Sequence, residues 1–315
     1  MSDRILVIGY GPVGAATAER LAARGRQVVV AQRKRPATLP EAIPFVACDV
    51  ERRDSLRVAA RGAAQIVLAV GLPYSGVLWR EMWPRIVDNV VETAAETGAR
   101  VVFVDNLYMY GPQTEPLVET MALTDHPSLK PAARVAATRI WQAASATGRI
   151  RFAAVRGPDF YGPGVGQAIL GETSLGALAQ GRPAMWIYDA ETPHDFAYVP
   201  DYARGVVSLL DAPDDAFGQA WHVPSAPTRK PAELLALAAK SLGVPLRIRN
   251  VPFWAMRALG VFKPEMAEFA AMSFQWDRPY RVDASKFAAR FWSDPTPFEE
   301  GVPRAALSFR RRAAA

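Results

Sequence analysis

The first half of the chain alternates short apolar runs with longer segments that mix apolar and polar positions. Residues 5–8, 28–31, 45–47, 66–70, 101–104 and, apart from Arg151 at its start, 151–155 are apolar runs of strand length. Between them, 15–24, about 53–61, 83–97 and 131–147 carry helical spacing, and Gly98 and Gly148 stand where the last two should stop. Strands that are apolar throughout, separated by helices, predict a parallel sheet buried on both faces. Right-handed crossovers then make a doubly wound α/β fold. The second half is less regular. Proline and glycine thicken at 157–166 and 224–231, residues 202–210 and 231–242 read as helices, and 253–276 is rich in aromatics. This half predicts a smaller C-terminal substrate lobe over the carboxyl ends of the strands. The expected division is a dinucleotide-binding domain over 1–165, rejoined by 192–224, with the substrate-binding lobe formed by 166–191 and 225–315.

The first strand runs straight into glycines. Ile5-Leu-Val-Ile-Gly9-Tyr10-Gly11-Pro12-Val13-Gly14 is a strand, a G-x-G-x-x-G turn and a helix start, the arrangement of a Rossmann-type dinucleotide site. The first glycine permits the turn, the second lets backbone approach a pyrophosphate, and the third lets helix pack on strand. The helix start offers N–H groups and a positive dipole end to the phosphates. A turn that has lost its ligand would look the same. After the second strand an NAD site usually carries an acid for the ribose hydroxyl. Here Gln32-Arg33-Lys34-Arg35 has no acid and three cations. Arg33, with Lys34 or Arg35 near it, suits a 2′-phosphate, because guanidinium donors bind two oxygens at once. NADP is therefore expected over NAD, with a solvated basic loop as the bland alternative. Asp49 and Val50 follow the third strand. The aspartate either accepts from the adenine amino group or caps the next helix.

Composition narrows the class. Half of the 315 residues are hydrophobic and 22% are charged, which excludes a disordered or fibrous chain. No apolar run reaches the roughly 18 residues of a membrane span, and the N-terminus lacks the pattern of a signal peptide. Cys48 is the one cysteine, so an intrachain disulfide and a cysteine-built metal site are both excluded. No metal is expected, and the expected compartment is cytoplasmic. The net charge is +6 and the pI about 9.6, but the basic residues are scattered, so neither nucleic acid nor membrane is an expected partner.

Further motifs carry a family resemblance. These are Asn89-Val-Val-Glu-Thr-Ala-Ala, the strand 101–104 ending in Asp-Asn-Leu-Tyr-Met-Tyr110-Gly111, Arg156-Gly-Pro-Asp-Phe-Tyr161-Gly-Pro-Gly164, His194-Asp-Phe-Ala-Tyr-Val199-Pro-Asp201 and Pro295-Thr-Pro-Phe-Glu-Glu-Gly. Together they resemble the extended short-chain dehydrogenase/reductases of the NAD-dependent epimerase/dehydratase type, nearly end to end. The resemblance speaks for the fold and leaves the reaction open. It makes a homodimer through a helical pair plausible. It also exposes departures. The glycine turn is one residue shorter than usual, as in atypical members. Where the resemblance implies a catalytic Tyr-x-x-x-Lys, this chain has Lys130-Pro-Ala-Ala-Arg134, or in another frame that sits poorly on a helix His126-Pro-Ser-Leu-Lys130, and Asn106 stands in place of the usual Ser or Thr.

A lysine can move the proton itself if its pKa is lowered. Arg134, one helical turn from Lys130 on the same face, would supply a charge that does so. The Lys-x-x-x-Arg pattern is similar to that of isoflavone-reductase-like enzymes, in which lysine is the implied acid/base. Lys130 would then also face the cofactor. Asn106 could donate to a substrate carbonyl, and Tyr108 and Tyr110 are reserve acids. The bland reading makes Lys130 and Arg134 solvated residues and Asn106 a strand-end cap.

The substrate candidates are Tyr110, Tyr161, Trp186 and His194. The resemblance implies an arginine facing a pyrophosphate at position 194 in sugar-nucleotide members; a neutral histidine there speaks against a nucleotide sugar. His194 either anchors a substrate oxygen or makes a structural hydrogen bond. The leading expectation is an NADP(H)-dependent oxidoreductase of a small apolar or aromatic carbonyl or alcohol. The alternatives are an epimerase or dehydratase with tightly bound NAD(P), and a non-catalytic NADP sensor.

Overall fold

Ile5–Ile8 forms β1 with all four residues almost fully buried, because its apolar side chains are covered from both faces of a sheet. The computed structural model describes residues 4–124 and 126–313. After β1 come α1 (Pro12–Ala23), β2 (Val28–Gln32), β3 (Phe45–Ala47), α2 (Arg53–Ala59), β4 (Gln65–Leu68), α3 (Gly76–Thr97), β5 (Arg100–Asp105), α4 (Leu129–Ala146) and β6 (Phe152–Arg156). Short strands β7 (Asp159–Tyr161), β8 (Ala184–Ile187) and β9 (Phe196–Tyr198) precede β10 (Ala220–His222), and β11 is Ile248–Val251.

The main sheet has seven strands in the order β10-β6-β5-β4-β1-β2-β3, and the neighbours from β6 to β3 pair in parallel. The fold is the Rossmann-type doubly wound sheet. Chain direction switches sides at β1, which lies between β2 and β4, and ligands of such sheets bind outside the strand ends at that point. The register Ile8↔Ala31 and Ile8↔Leu68 brings the ends of β1, β2 and β4 level with one another.

Helix α3 starts seven residues before the expected 83–97. Pro84 reads in sequence as a first-turn residue, yet it lies inside the helix, and Ser75 caps the earlier start by accepting from the Leu78 N–H. Gly98 ends α3 in the left-handed region, as its position implies.

The chain divides into two compact units. The first runs to Tyr110 and adds Ala122–Arg156 and Tyr202–Trp221; the second is Gly111–Met121, Gly157–Asp201 and the chain from His222 onward. The break thus falls at Arg156 rather than 165, because β7 pairs with β9 rather than with the main sheet. Each unit has its own core. In the first, Leu6, Ile66, Phe103, Trp83 and Trp141 pack together. In the second, Trp186, Phe196, Leu234, Leu235 and Val302 do so, beside the parallel pair β8–β11.

Candidate active site

At the end of β1, Gly9 has a φ of +94°, and a Cβ there would lie 2.6 Å from the Ala69 carbonyl oxygen. A Cβ on Gly14 would lie 2.2 Å from the Gly9 carbonyl oxygen. Both glycines are therefore required by the packing of turn, helix and neighbouring loop. Gly11 differs: its backbone is extended at the N-cap of α1, and nothing lies within 4 Å of where a Cβ would point. That open face is where a diphosphate could approach the backbone. Pro12 takes the first helical position, where no N–H is needed. The N–H groups of Val13 and Gly14 have no carbonyl partner within the helix, which leaves them for an anion. These residues fit a dinucleotide diphosphate.

Tyr10 is used otherwise. Its backbone N–H donates to Gln32 Oε1 at 3.0 Å and its hydroxyl to Glu19 at 2.6 Å. Burial, with Glu19 adding to it, pushes the phenol well above its ordinary range. Tyr10 thus ties the turn to β2 and α1. Gln32 was not among the residues picked from sequence, because an amide at a strand end carries no chemical signal of its own.

Arg33 and Lys34 follow, both exposed, and neither makes a side-chain hydrogen bond or ion pair among the described residues. Arg35 is held by the carbonyls of Pro40 and Ile43 and lies over Phe45. Two unpaired cations and no carboxylate therefore stand at the end of β2. Asp49 accepts from the Glu51 N–H at 3.1 Å, so one of its oxygens shapes the local turn. Val50 is buried, and its carbonyl accepts from Asn89 of α3 at 3.1 Å.

A buried charge cluster closes the ends of β5 and β6. Asp105 accepts from Arg134 at 2.9 Å through one oxygen and from Arg156 at 3.1 Å through the other. Arg156 also donates to the Tyr110 hydroxyl at 2.7 Å and to Thr138 at 3.1 Å. The Arg134 guanidinium lies 3.7 Å from the Trp83 ring centroid and 4.9 Å from that of Trp79. Burial pulls its pKa down, and Asp105 opposes that. Arg134 is thus a paired structural cation. The bare charge that the sequence placed beside Lys130 is balanced by Asp105.

Lys130 opens α4 at 2% exposure, its ammonium 3.7 Å from the Tyr74 ring centroid. Tyr74 meets Trp79 edge-on, and Trp79 stacks on Tyr108 at 5.9 Å. Lys130 therefore stands against a continuous aromatic wall. Asn106 accepts from the Tyr108 N–H at 3.2 Å, a local turn bond that occupies its carbonyl oxygen. The Tyr110 ring is fully buried with its hydroxyl held by Arg156, which places it in the core.

The remaining three substrate candidates lie in the second unit and are buried there. Trp186 packs edge-on against Trp276 and Phe196. Tyr161 is fully buried between Tyr198 and Phe298. His194 is sandwiched by Trp276 and Tyr280, and its Nε2 lies 3.0 Å from Asp159. Of the two readings left open for His194, the structural hydrogen bond is the one present. Large aromatics at these positions fill the core because each buries a large area. Among the described residues no group of three His, Cys, Asp or Glu is arranged to hold a metal, and no helix is long and apolar enough to cross a membrane.

Comparison with known proteins gives the same architecture. The sequence profile of the NAD dependent epimerase/dehydratase family matches residues 5–223. UDP-glucose 4-epimerase of Thermus thermophilus, in complex with NAD, aligns with a TM-score of 0.79 at 18% identity, covering 98% of this chain and 99% of that one. The dTDP-glucose 4,6-dehydratase DesIV of Streptomyces venezuelae, with NAD and TYD bound, aligns with a TM-score of 0.81 at 19% identity over 99% and 98%. UDP-glucuronic acid 4-epimerase of Bacillus cereus, with UDP-glucuronic acid and NAD, aligns at 0.81 and 14% over 98% and 99%. At such identities the likeness is one of fold. No curated protein sequence matches the chain.

Proposed function

The chain belongs to the NAD dependent epimerase/dehydratase family, and from that premise we propose an NADP(H)-dependent oxidoreductase acting on a small apolar or aromatic carbonyl or alcohol. The observation that carries the cofactor preference is the pair of unpaired cations, Arg33 and Lys34, at a strand end without a carboxylate. A 2′-phosphate supplies the anion they lack. Gly11, Val13 and Gly14 would hold the diphosphate, and Asp49, one of whose oxygens accepts from the Glu51 N–H, would accept from the adenine amino group through the other. When bound, nicotinamide supplies or accepts the hydride.

Lys130 is the proposed acid/base that holds or takes the proton at the substrate oxygen. It is the buried amine at the start of α4, and the wall of Tyr74, Trp79 and Tyr108 suits an apolar or aromatic substrate. The burial of His194 against Trp276 supports a substrate other than a nucleotide sugar. A second reading, an epimerase or dehydratase that retains NAD, draws on the NAD bound in the neighbouring structures. It predicts a cofactor that copurifies and no net redox during turnover.

Titrating cofactor-stripped protein with NADPH and NADH, followed by a carbonyl panel, tests the proposal. NADPH should bind more tightly, and Arg33→Ala should weaken NADPH roughly ten- to a hundredfold while sparing NADH. Lys130→Ala should abolish turnover and leave NADPH binding intact. Equal affinity for the two nucleotides would remove the NADP reading, and unchanged turnover in the lysine variant would remove the acid/base assignment.

A further inference from the structure

The segment after β8–β11 exposes apolar side chains that a folded chain ordinarily hides. Helix Phe253–Gly260 turns sharply into helix Pro264–Ala270. The turn is tight because a Cβ on Gly260 would meet Ala267 at 2.9 Å. Met256 points into the core at 1% exposure, whereas Trp254, Val261 and Phe262 are 74%, 79% and 85% exposed. Trp254 and Val261 are seven residues apart, two helical turns, and so project to one side. Tyr188 extends the surface. Among the described residues it is the non-glycine residue with positive φ, at 63°, and its ring stacks on Phe253 at 4.9 Å. The backbone of Tyr188 is held in a costly conformation that keeps this ring at the surface.

The charges up to the turn have one sign, and the first acids beyond it are Glu265 and Glu268 of the second helix. Residues 246–263 contain Arg247, Arg249, Arg257 and Lys263 and no acid. All four cations are exposed, and none makes an ion pair or side-chain hydrogen bond among the described residues. A second copy of the chain would bring like charges together across a twofold axis. A surface of anionic headgroups would pair with the cations while its acyl boundary accepts tryptophan and phenylalanine.

We propose that the Trp254–Lys263 hairpin docks the protein peripherally on anionic lipid bilayers, with Trp254, Val261 and Phe262 inserted at the headgroup boundary and Arg257 and Lys263 on the phosphates. The absence of a membrane span in the sequence is no obstacle, since the contact lies in the interface and crosses nothing. The scattered charge along the rest of the chain gives no reason to expect a membrane partner; this segment differs in setting exposed aromatics beside unpaired cations.

The test is co-sedimentation of the full chain with vesicles of phosphatidylcholine alone and of equal parts phosphatidylcholine and phosphatidylglycerol. Sedimentation with the anionic vesicles only, reversed by high salt, is the expected result. Val261→Ser with Phe262→Ser, and separately Arg257→Glu with Lys263→Glu, should each lower vesicle partitioning roughly tenfold or more. An unchanged urea midpoint verifies that each variant is folded. No sedimentation with either vesicle overturns the proposal. So does sedimentation that both variants leave intact, which would assign the contact to another basic segment. Vesicle-independent self-association that the serine variant abolishes also overturns it, because the occupant is then a second copy.

Discussion

Arg134 donates to Asp105 at 2.9 Å with both side chains almost fully buried. The pair explains how a cation survives in the interior against Trp83: the carboxylate balances it, and a second buried cation, Arg156, shares the same carboxylate. Arg134 is thus a structural cation, while Lys130, one helical turn before it, stands against Tyr74.

Removing that carboxylate leaves two guanidinium groups buried without their counter-ion. Asp105→Asn should cost about 3–5 kcal/mol in urea unfolding. Arg134→Met should cost less, since Arg156 still pairs with Asp105. Equal small losses in both variants would mean that water or another group compensates the cluster.

The two helix-side glycines should behave oppositely. At Gly11 the space for a Cβ is open and the backbone suits any residue. Gly11→Ala should therefore leave the thermal midpoint unchanged while weakening NADPH, because the methyl occupies the face a diphosphate approaches. Gly14→Ala places a Cβ 2.2 Å from the Gly9 carbonyl oxygen and should destabilise the fold itself, by roughly 1–3 kcal/mol. Calorimetry alongside cofactor titration separates the two effects.

Tyr161 carries a buried hydroxyl with no hydrogen-bond partner among the described residues, and burial pushes its phenol far above the ordinary range. An unsatisfied hydroxyl opposes folding. Tyr161→Phe should be neutral or stabilising by up to about 1 kcal/mol and should leave turnover unchanged. A fall in turnover without loss of stability would restore Tyr161 to the substrate site.

Burial pushes the Cys48 thiol up from an ordinary 9.0 to about 11. In the unfolded chain the thiol ionises near 9.0, whereas in the native chain it stays protonated until about 11. Unfolding releases a proton between these values, so stability is full below pH 9 and falls as pH rises toward 11, by about 2–3 kcal/mol. Urea unfolding across that window should show the slope, and Cys48→Ala should flatten it. An identical slope in the alanine variant would assign it to other groups.

Periodicity along the chain was enough to determine the doubly wound sheet, because a strand buried on both faces must be apolar throughout. The cofactor turn was equally legible. Gly9 takes a positive φ and Gly14 packs on the Gly9 carbonyl, demands set within a few residues, whereas Gly11 leaves its face open, and Arg33 and Lys34 follow the next strand directly. The start of α3 was not legible, since Pro84 lies inside the helix and Ser75 caps an earlier turn. The aromatics Tyr110, Tyr161 and Trp186 and the imidazole of His194 invited a substrate role, because residue type alone cannot tell a pocket wall from a core.

Only the tertiary structure decided the partners of the charged groups. Asp105 lies 29 residues from Arg134 and 51 from Arg156, and nothing in their spacing announces the cluster. Lys130 meets Tyr74, and Gln32 meets Tyr10, for the same reason. The sequence by itself determined where backbone had to bend and which faces had to be dry, since those demands are local and periodic. Which cation is paired, which is left free for a ligand and which ring is exposed depends on distances across the sheet ends and between distant helices, and these exist only once the chain has folded.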